Sequence, residues 1–292
     1  MNKKIISGSF IILECILWGV GNTITKIGLA SIGPFRCLAL RFFLAALLFG
    51  LFFFHRLTAN KADIRQCLPV SVATAFAFIT STLSLHFASA TSAGLLMALA
   101  VIFTPFLDFL VHKRPPGKRM LFAVTLVVGG MYLLCGFDAG ARFGFGELLA
   151  LISALCLAVT LTFTAVSVQA VDPVVLSTVQ AGMTAMLSLV PALIFENTHT
   201  LTGVSLSGWF SVLYLAVGCT FIAYLLQNTA LAHVSPVFVS VTFCAEPIFT
   251  ALSAYVLLGE QLAFSGYIGA ALILAGILVS SLPRKLRQTL PA

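Results

Sequence analysis

The sequence alternates between long apolar stretches and short polar segments. A helix needs about 20 residues to cross the ~30 Å hydrocarbon core of a bilayer. Ten stretches reach that length, and we predict ten transmembrane helices at 5–28, 34–54, 68–88, 92–112, 118–136, 145–168, 174–195, 206–231, 235–257 and 263–282. Their apolar residues run continuously and do not alternate, which favours helices over a β-barrel. The predicted fold class is all-α integral membrane protein.

The composition and the placement of charge support this interpretation. Of the 292 residues, 60% are hydrophobic and 9% are charged, whereas soluble domains carry about 25% charged residues. With the N-terminus inside, twelve of the 16 lysines and arginines fall in inner segments, and only Arg142 falls in an outer loop. This bias predicts a multi-pass protein of the cell (plasma) membrane with both termini cytoplasmic. It also explains most of the net charge of +7 without a nucleic-acid partner.

Motifs for catalysis and for metal binding are missing from the sequence. The seven cysteines show no C-x-x-C spacing, so they indicate small buried residues and not a zinc site or a disulfide framework. The sequence contains no H-E-x-x-H, no G-x-S-x-G and no Walker A motif. We therefore predict no enzyme activity, no catalytic residue, no metal and no cofactor.

The two halves of the chain resemble each other. Gly33-Pro34 before the second predicted helix corresponds to Asp172-Pro173 before the seventh, and 112–114 corresponds to 258–260. Each half holds five predicted helices, so the second half enters the membrane from the opposite side. The sequence thus predicts two inverted five-helix repeats, at 1–138 and 139–292, a common arrangement in secondary transporters.

A polar stripe runs along the first predicted helix. Glu14, Trp18, Asn22 and Lys26 are each four residues apart, which places them on one helix face. Polar groups within a membrane usually face a cavity or a partner, so Glu14, Trp18 and Asn22 are candidates for a central site. Lys26 lies about 18 Å along the helix from Glu14. It is a candidate outer gate, or it extends to the outer surface.

Two carboxylates from opposite halves reach similar depth. By helix rise, Glu14 lies about 14 Å and Glu246 about 16 Å from the inner boundary. The charged form is costly at that depth, so each group either carries a proton or meets a cation or dipole. Both are candidates for proton coupling or for binding an ammonium group. A structural hydrogen bond is the alternative, especially for Glu246, which precedes Pro247.

Arg41 and an amide-rich face of the eighth predicted helix complete the candidate set. A guanidinium cannot discard its charge, so we expect Arg41 to pair with a carboxylate, either between helices or on an anionic part of a substrate. Tyr224, Gln227 and Asn228 form a polar helix face. They are candidates for lining a cavity or for hydrogen bonds between helices.

At this point the sequence resembles the drug/metabolite transporter superfamily in its ten-helix, EamA-type form. The motifs that carry the resemblance are Trp18-Gly19, Asn22, Lys26, Pro34, Arg41-Phe42, Ser235-Pro236, Glu246-Pro247, Leu258-Gly259-Glu260 and Ala275-Gly276. The first half departs from the pattern, because Lys113-Arg114 stands where Gly259-Glu260 stands in the second. The resemblance implies a carrier of small organic solutes, often an exporter of amino acids or related metabolites.

These observations together predict a secondary-active carrier that works by alternating access. The mixture of carboxylates, Arg41 and amides favours an amino-acid-like or amine-containing metabolite, and export follows the family tendency. A phosphorylated-sugar or organic-anion antiporter is the alternative within transport, and a non-transporting membrane scaffold or sensor is the alternative of another class. The expected partners are the substrate and the lipid bilayer. Protons, a counter-substrate and a second copy in a homodimer are left open.

Overall fold

The computed structural model describes residues 3–60, 63–88, 96–113, 115–135, 144–196, 203–259 and 264–281. Every regular element within these ranges is a helix. The first half contains α1 Lys3–Gly28, α2 Pro34–Ala59, α3 Asp63–Phe87, α4 Ala100–His112 and α5 Lys118–Cys135. The second half contains α6 Phe145–Ser167, α7 Pro173–Phe195, α8 Leu206–Ala216, a π-helical segment Val217–Ile222, α9 Ala223–Leu231, α10 Pro236–Phe243, α11 Glu246–Leu258 and α12 Phe264–Ser281.

Within the described residues, seven helical stretches are long and apolar enough to cross a membrane. Two of them combine shorter elements, since α8, the π-helical segment and α9 form one stretch, and α10 and α11 form another. The helices α4 and α12 are apolar but shorter. The chain is therefore an all-α, multi-pass membrane protein. Part of the predicted helix 92–112 lies outside the described residues, and the number of ten spans stays a prediction.

Several helices begin where the sequence places a proline or a short polar side chain. Pro34 and Pro173 occupy the first turn of α2 and α7, where a missing N–H costs nothing. Asp172 accepts a hydrogen bond from the amide of Val174 at 2.7 Å, and Ser235 accepts one from the amide of Phe238 at 3.2 Å. These contacts satisfy backbone groups that a helix start leaves unpaired.

Helices α4 and α11 end in the same way. Lys113 follows α4 with φ of 53°, and Gly259 follows α11 with φ of 70°. Both residues therefore adopt the left-handed conformation that often terminates a helix. Before each helix the chain makes a turn, at Ala98–Leu99 and at Cys244–Ala245. These turns shorten the predicted helices at 92–112 and 235–257.

Glycines allow close contact between helices from the two ends of the chain. A Cβ atom added at Gly19 would lie 2.5 Å from Cβ of Phe249 and 2.9 Å from the carbonyl oxygen of Glu246. The backbones of α1 and α11 are therefore in close contact at Gly19. A Cβ at Gly130 would lie 2.6 Å from the carbonyl oxygen of Gly269, which brings α5 equally close to α12. Small residues at such contacts are typical of membrane helices. The polar face of α1 is thereby held against the second half.

Candidate functional site

Glu14 is a fully buried carboxyl without a hydrogen-bond partner. The side chain has 0% exposure, and neither of its oxygens makes a hydrogen bond within the described part of the chain. Its neighbour Cys15 donates through Sγ to the carbonyl oxygen of Thr242 at 3.4 Å. The carboxyl of Glu246 is close enough for electrostatic interaction with Glu14. The two acids that the sequence places at similar depth therefore belong to one region.

Trp18 connects α1 to the π-helical segment. Its Nε1–H donates to the carbonyl oxygen of Cys219 at 2.8 Å. The indole lies at the edge of Phe78, with ring centroids 6.3 Å apart, and against Phe243 at 5.1 Å. Trp18 is therefore held in place by one hydrogen bond and by contacts with two aromatic rings.

The π-helical segment explains why the carbonyl of Cys219 accepts side-chain donors. In a regular α-helix this carbonyl would receive the amide of Ala223, four residues on. That amide is instead bonded to the carbonyls of Gly218 and Thr220. The carbonyl of Cys219 therefore lacks the backbone donor that a regular α-helix would supply. Single π-helical turns of this kind are often found at functional sites.

Arg41 is held by the same segment. Its Nε donates to Oγ1 of Thr220 at 2.7 Å, and its Nη2 donates to the carbonyl oxygen of Cys219 at 3.1 Å. The guanidinium also lies over the rings of Phe42 and Phe78, at 5.0 and 5.3 Å from their centroids. We expected a carboxylate partner, either between helices or on a substrate. Within the described residues Arg41 forms no ion pair, but the carboxyl of Glu246 is close enough for electrostatic interaction with the guanidinium, and the substrate alternative stays a prediction.

Asn22 joins α1 to α11. Its Nδ2 donates to Oε1 of Glu246 at 2.7 Å and to Oγ1 of Thr250 at 3.2 Å. Asn22 lies one turn beyond Trp18 on the inward face of α1, yet it is exposed, and so is Lys26 a further turn on. This face of α1 is therefore accessible at Asn22 and again at Lys26.

The three candidates on α9 have different surroundings. Asn228 donates through Nδ2 to Oγ of Ser177 and to Oε1 of Gln180, each at 2.9 Å. Gln180 donates onward to Oγ1 of Thr74 at 3.1 Å. Asn228 therefore belongs to a hydrogen-bond network between helices, whereas Tyr224 and Gln227 line a cavity.

This cavity lies beside Trp18 in the interior of the bundle. It is lined by Trp18, Thr74, Ala77, Phe78, Leu157, Thr160, Gln180, Tyr224 and Gln227. The empty volume is about 270 Å³ including the opening, but the clear space holds only about one water molecule. The sequence analysis did not single out Thr74, Phe78 or Thr160. A threonine or phenylalanine within an apolar helix is too common to indicate a cavity.

Charged groups away from this region are paired at helix ends. Glu196 accepts hydrogen bonds from the amides of Phe35 and Arg36 at 2.7 and 3.1 Å, and Arg56 lies 3.6 Å from Asp172. The described residues contain no group of three or more His, Cys, Asp or Glu side chains that could hold a metal ion. Glu14 differs from these peripheral acids because nothing described compensates it.

A buried acid within a bundle of membrane helices often marks a substrate or ion pathway. The EamA-like transporter family matches residues 6–136 and again residues 144–282. The chain belongs to this family. It is a membrane transporter of small molecules and not an enzyme.

Relatives that match along most of the chain carry the same general description. An uncharacterized transporter of Archaeoglobus fulgidus is 27% identical over 280 residues, covering 96% of this chain and 87% of the relative. A probable amino-acid metabolite efflux pump of Escherichia coli K12 is 25% identical over 293 residues, covering 96% and 95%. A protein of known crystal structure, 20% identical, superposes with a TM-score of 0.78 over 94% of this chain and 96% of its own. That likeness concerns the fold.

Proposed function

We propose that this protein is a secondary-active carrier that exports a small amino-acid-like or amine-containing metabolite by alternating access. The observation that carries the proposal is Glu14, a carboxyl with 0% exposure and no hydrogen-bond partner among the described residues. An ionised carboxylate in such a place is costly unless a cation compensates it. A proton and a substrate ammonium group would bind to Glu14 alternately, and each would compensate the charge of the carboxylate. Because one must leave before the other binds, transport would be coupled to a proton gradient.

Glu246 provides a second acid on the accessible face of the α1–α11 contact. It is partly exposed and accepts a hydrogen bond from Asn22, so its charge is better supported than that of Glu14. In export the amine would arrive from the cytoplasm and bind Glu14 in the closed interior, which would release its proton to the cytoplasm. We assign Glu246, with Asn22 and Thr250, to the last contact with the departing amine and to the first contact with an incoming proton. Lys26, exposed at the outer end of α1, would guard this exit.

Alternating access follows from the predicted inverted repeats at 1–138 and 139–292. The matched ends of α4 and α11 at Lys113 and Gly259, and the two successive matches to the same family, support this division. The contacts that would break and re-form are those between the halves. Asn22 bonds to Glu246, and both Trp18 and Arg41 bond to Cys219.

The same division fits a plasma-membrane protein with cytoplasmic termini. The ion pair of Arg56 and Asp172 would then lie at the cytoplasmic face, where the positive-inside rule places basic residues. The pair of Arg36 and Glu196, 3.9 Å apart, would lie at the outer face.

The rival function is an antiporter of phosphorylated sugars or organic anions. It requires basic side chains directed at the substrate. Arg41 instead directs two of its five N–H donors at Cys219 and Thr220, and none of the described residues that line the cavity is a lysine or arginine. These contacts favour a substrate with an amine over one with two or more negative charges.

A metabolite panel in proteoliposomes tests the proposal. Vesicles with an acidic interior and an alkaline exterior are offered labelled amino acids, amines, sugar phosphates and organic acids. We expect uptake of an amine-containing solute that depends on the gradient. Glu14→Gln should abolish that dependence, whereas the control Glu147→Gln, at the start of α6, should keep it. Uptake of sugar phosphates alone, or gradient-dependent uptake by Glu14→Gln, would overturn the proposal.

A further inference from the structure

Two hydroxyl groups in the cavity lack hydrogen-bond partners. Tyr224 on α9 and Thr160 on α6 are each 3% exposed, and neither hydroxyl is bonded within the described part of the chain. Both residues line the same cavity beside Trp18. Buried polar groups are normally satisfied, so two residues with unsatisfied hydroxyls that line one space indicate a group that binds there during the transport cycle.

The remaining walls restrict what that group can be. Trp18, Phe78 and Leu157 supply apolar surface, and Gln180 is already bonded to Thr74 and Asn228. None of the described residues that line the cavity is a carboxylate, lysine, arginine or histidine, and the guanidinium of Arg41 lies over the ring of Phe78, at 5.3 Å from its centroid. A charged group would therefore find no direct ion-pair partner on the described cavity wall. An uncharged group with its own donor or acceptor would satisfy both hydroxyls.

Building on the proposed carrier function, we propose that this cavity is the side-chain subsite for the substrate and selects an uncharged hydrogen-bonding side chain. Tyr224 and Thr160 are the specificity-determining residues, and the preferred side chains carry a hydroxyl, a phenol or an amide. Glu14 precedes Trp18 by one helical turn, or about 6 Å along the axis. The cavity therefore lies about one helical turn from the carboxyl that is proposed to bind the amine.

The cavity is contracted in this conformation. Its clear space accepts about one water molecule, so a side chain enters only when Trp18 or Phe78 moves. The edge-on contact of these two rings at 6.3 Å closes the space toward α1 and α3. A ligand in the subsite therefore changes the surroundings of the indole.

Tryptophan fluorescence makes the subsite directly measurable. The chain has two tryptophans, and Trp209 lies near the start of α8 with 42% exposure. The variant Trp209→Phe leaves Trp18 as the single reporter. In this background, binding of each amino acid is titrated by the change in Trp18 fluorescence. The dissociation constant of L-threonine is compared with that of its isostere L-valine, and that of L-glutamine with that of L-glutamate. We expect threonine and glutamine each to bind at least about tenfold more tightly than their counterparts, the effect of one well-placed hydrogen bond.

Variants of the two hydroxyl residues identify the cause of that preference. Tyr224→Phe and Thr160→Val should each reduce the threonine-to-valine preference about tenfold, by removing one hydrogen bond. The matched control is Thr162→Val on the same helix, since Thr162 is also buried with an unbonded hydroxyl but does not line the cavity. It should leave the preference unchanged. Thermal unfolding of all three variants should occur at or above the temperature of the parent, because none of these hydroxyls makes a hydrogen bond within the described residues.

The outcomes separate this inference from the proposed function. Equal binding of the paired probes, or an equal loss of preference in Thr162→Val, would overturn the subsite while leaving the carrier proposal intact. Binding of none of the four amino acids, with transport of amines lacking a carboxylate, would also overturn the subsite alone. Failure of every amine-containing solute to be transported would overturn both.

Discussion

Replacing Trp18 and Arg41 together should cost more stability than the sum of the two single replacements. Both side chains donate to the carbonyl oxygen of Cys219, at 2.8 and 3.1 Å, and Cys219 is 1% exposed. Either donor alone keeps this carbonyl satisfied. Removal of both leaves a buried acceptor with neither of its side-chain donors, and its usual helical donor Ala223 bonds elsewhere.

The expected magnitudes follow from the contacts. Trp18→Phe removes one neutral hydrogen bond, a loss of about 0.5–1.5 kcal/mol. Arg41→Met keeps the apolar stem and removes hydrogen bonds from a charged group, a loss of about 1.5–3 kcal/mol. Thr220 still donates to the carbonyl of Leu215 at 2.9 Å in that variant. The double variant adds the desolvation penalty of the carbonyl, so we expect a coupling of about 1–3 kcal/mol beyond additivity.

The assay is a double-mutant cycle of unfolding in mixed micelles, titrated with sodium dodecyl sulfate and followed by circular dichroism. The control cycle pairs Arg41→Met with Trp209→Phe, whose tryptophan lies ten residues from Cys219 along the same helical stretch. That cycle should be additive, since distant residues without shared partners usually are. Additivity in the Trp18 cycle as well would refute the idea that the π-helical segment holds α1 and α2 through one carbonyl.

Two further predictions concern backbone geometry. Gly19→Ala should destabilise the protein markedly, because the new Cβ would lie 2.9 Å from backbone atoms of Glu246 and Thr250, which cannot shift independently. Gly182→Ala should instead stabilise the protein by about 0.5–1 kcal/mol through helix propensity, because no described atom of a neighbouring helix lies within 4 Å of its Cβ position. Thermal unfolding of the two variants checks both predictions. Lys113→Gly should stabilise by about 1 kcal/mol because Lys113 adopts φ of 53°, and the opposite sign would contradict the left-handed end of α4.

The sequence predicted the elements that depend on local chemistry. Pro34 and Pro173 mark the starts of α2 and α7, and the four-residue spacing of Glu14, Trp18 and Asn22 places them on one inward face. Depth counting placed Glu14 and Glu246 at a similar level, and the structure brings them within electrostatic reach. These inferences needed only helix geometry and the cost of polar groups in a membrane.

Features that depend on several helices at once were not predictable in this way. The π-helical segment Val217–Ile222 has no distinctive local sequence, and the carbonyl of Cys219 accepts hydrogen bonds from donors on α1 and α2. The sequence therefore did not predict this partner of Arg41. Trp18, Tyr224 and Gln227 were candidates from the sequence, but Thr74, Phe78 and Thr160 were not, since these residues become notable only when their helices are seen to line one space.

The most direct test of the central claim is proton movement linked to substrate movement through Glu14. Proteoliposomes containing a trapped pH indicator and an acidic lumen are mixed with a transported amine-containing solute. The account predicts that solute entry makes the lumen more alkaline in wild type, and that Glu14→Gln abolishes this change while Glu147→Gln does not. Solute-driven alkalinisation that persists in Glu14→Gln would contradict the account, as would wild-type solute entry without any proton movement.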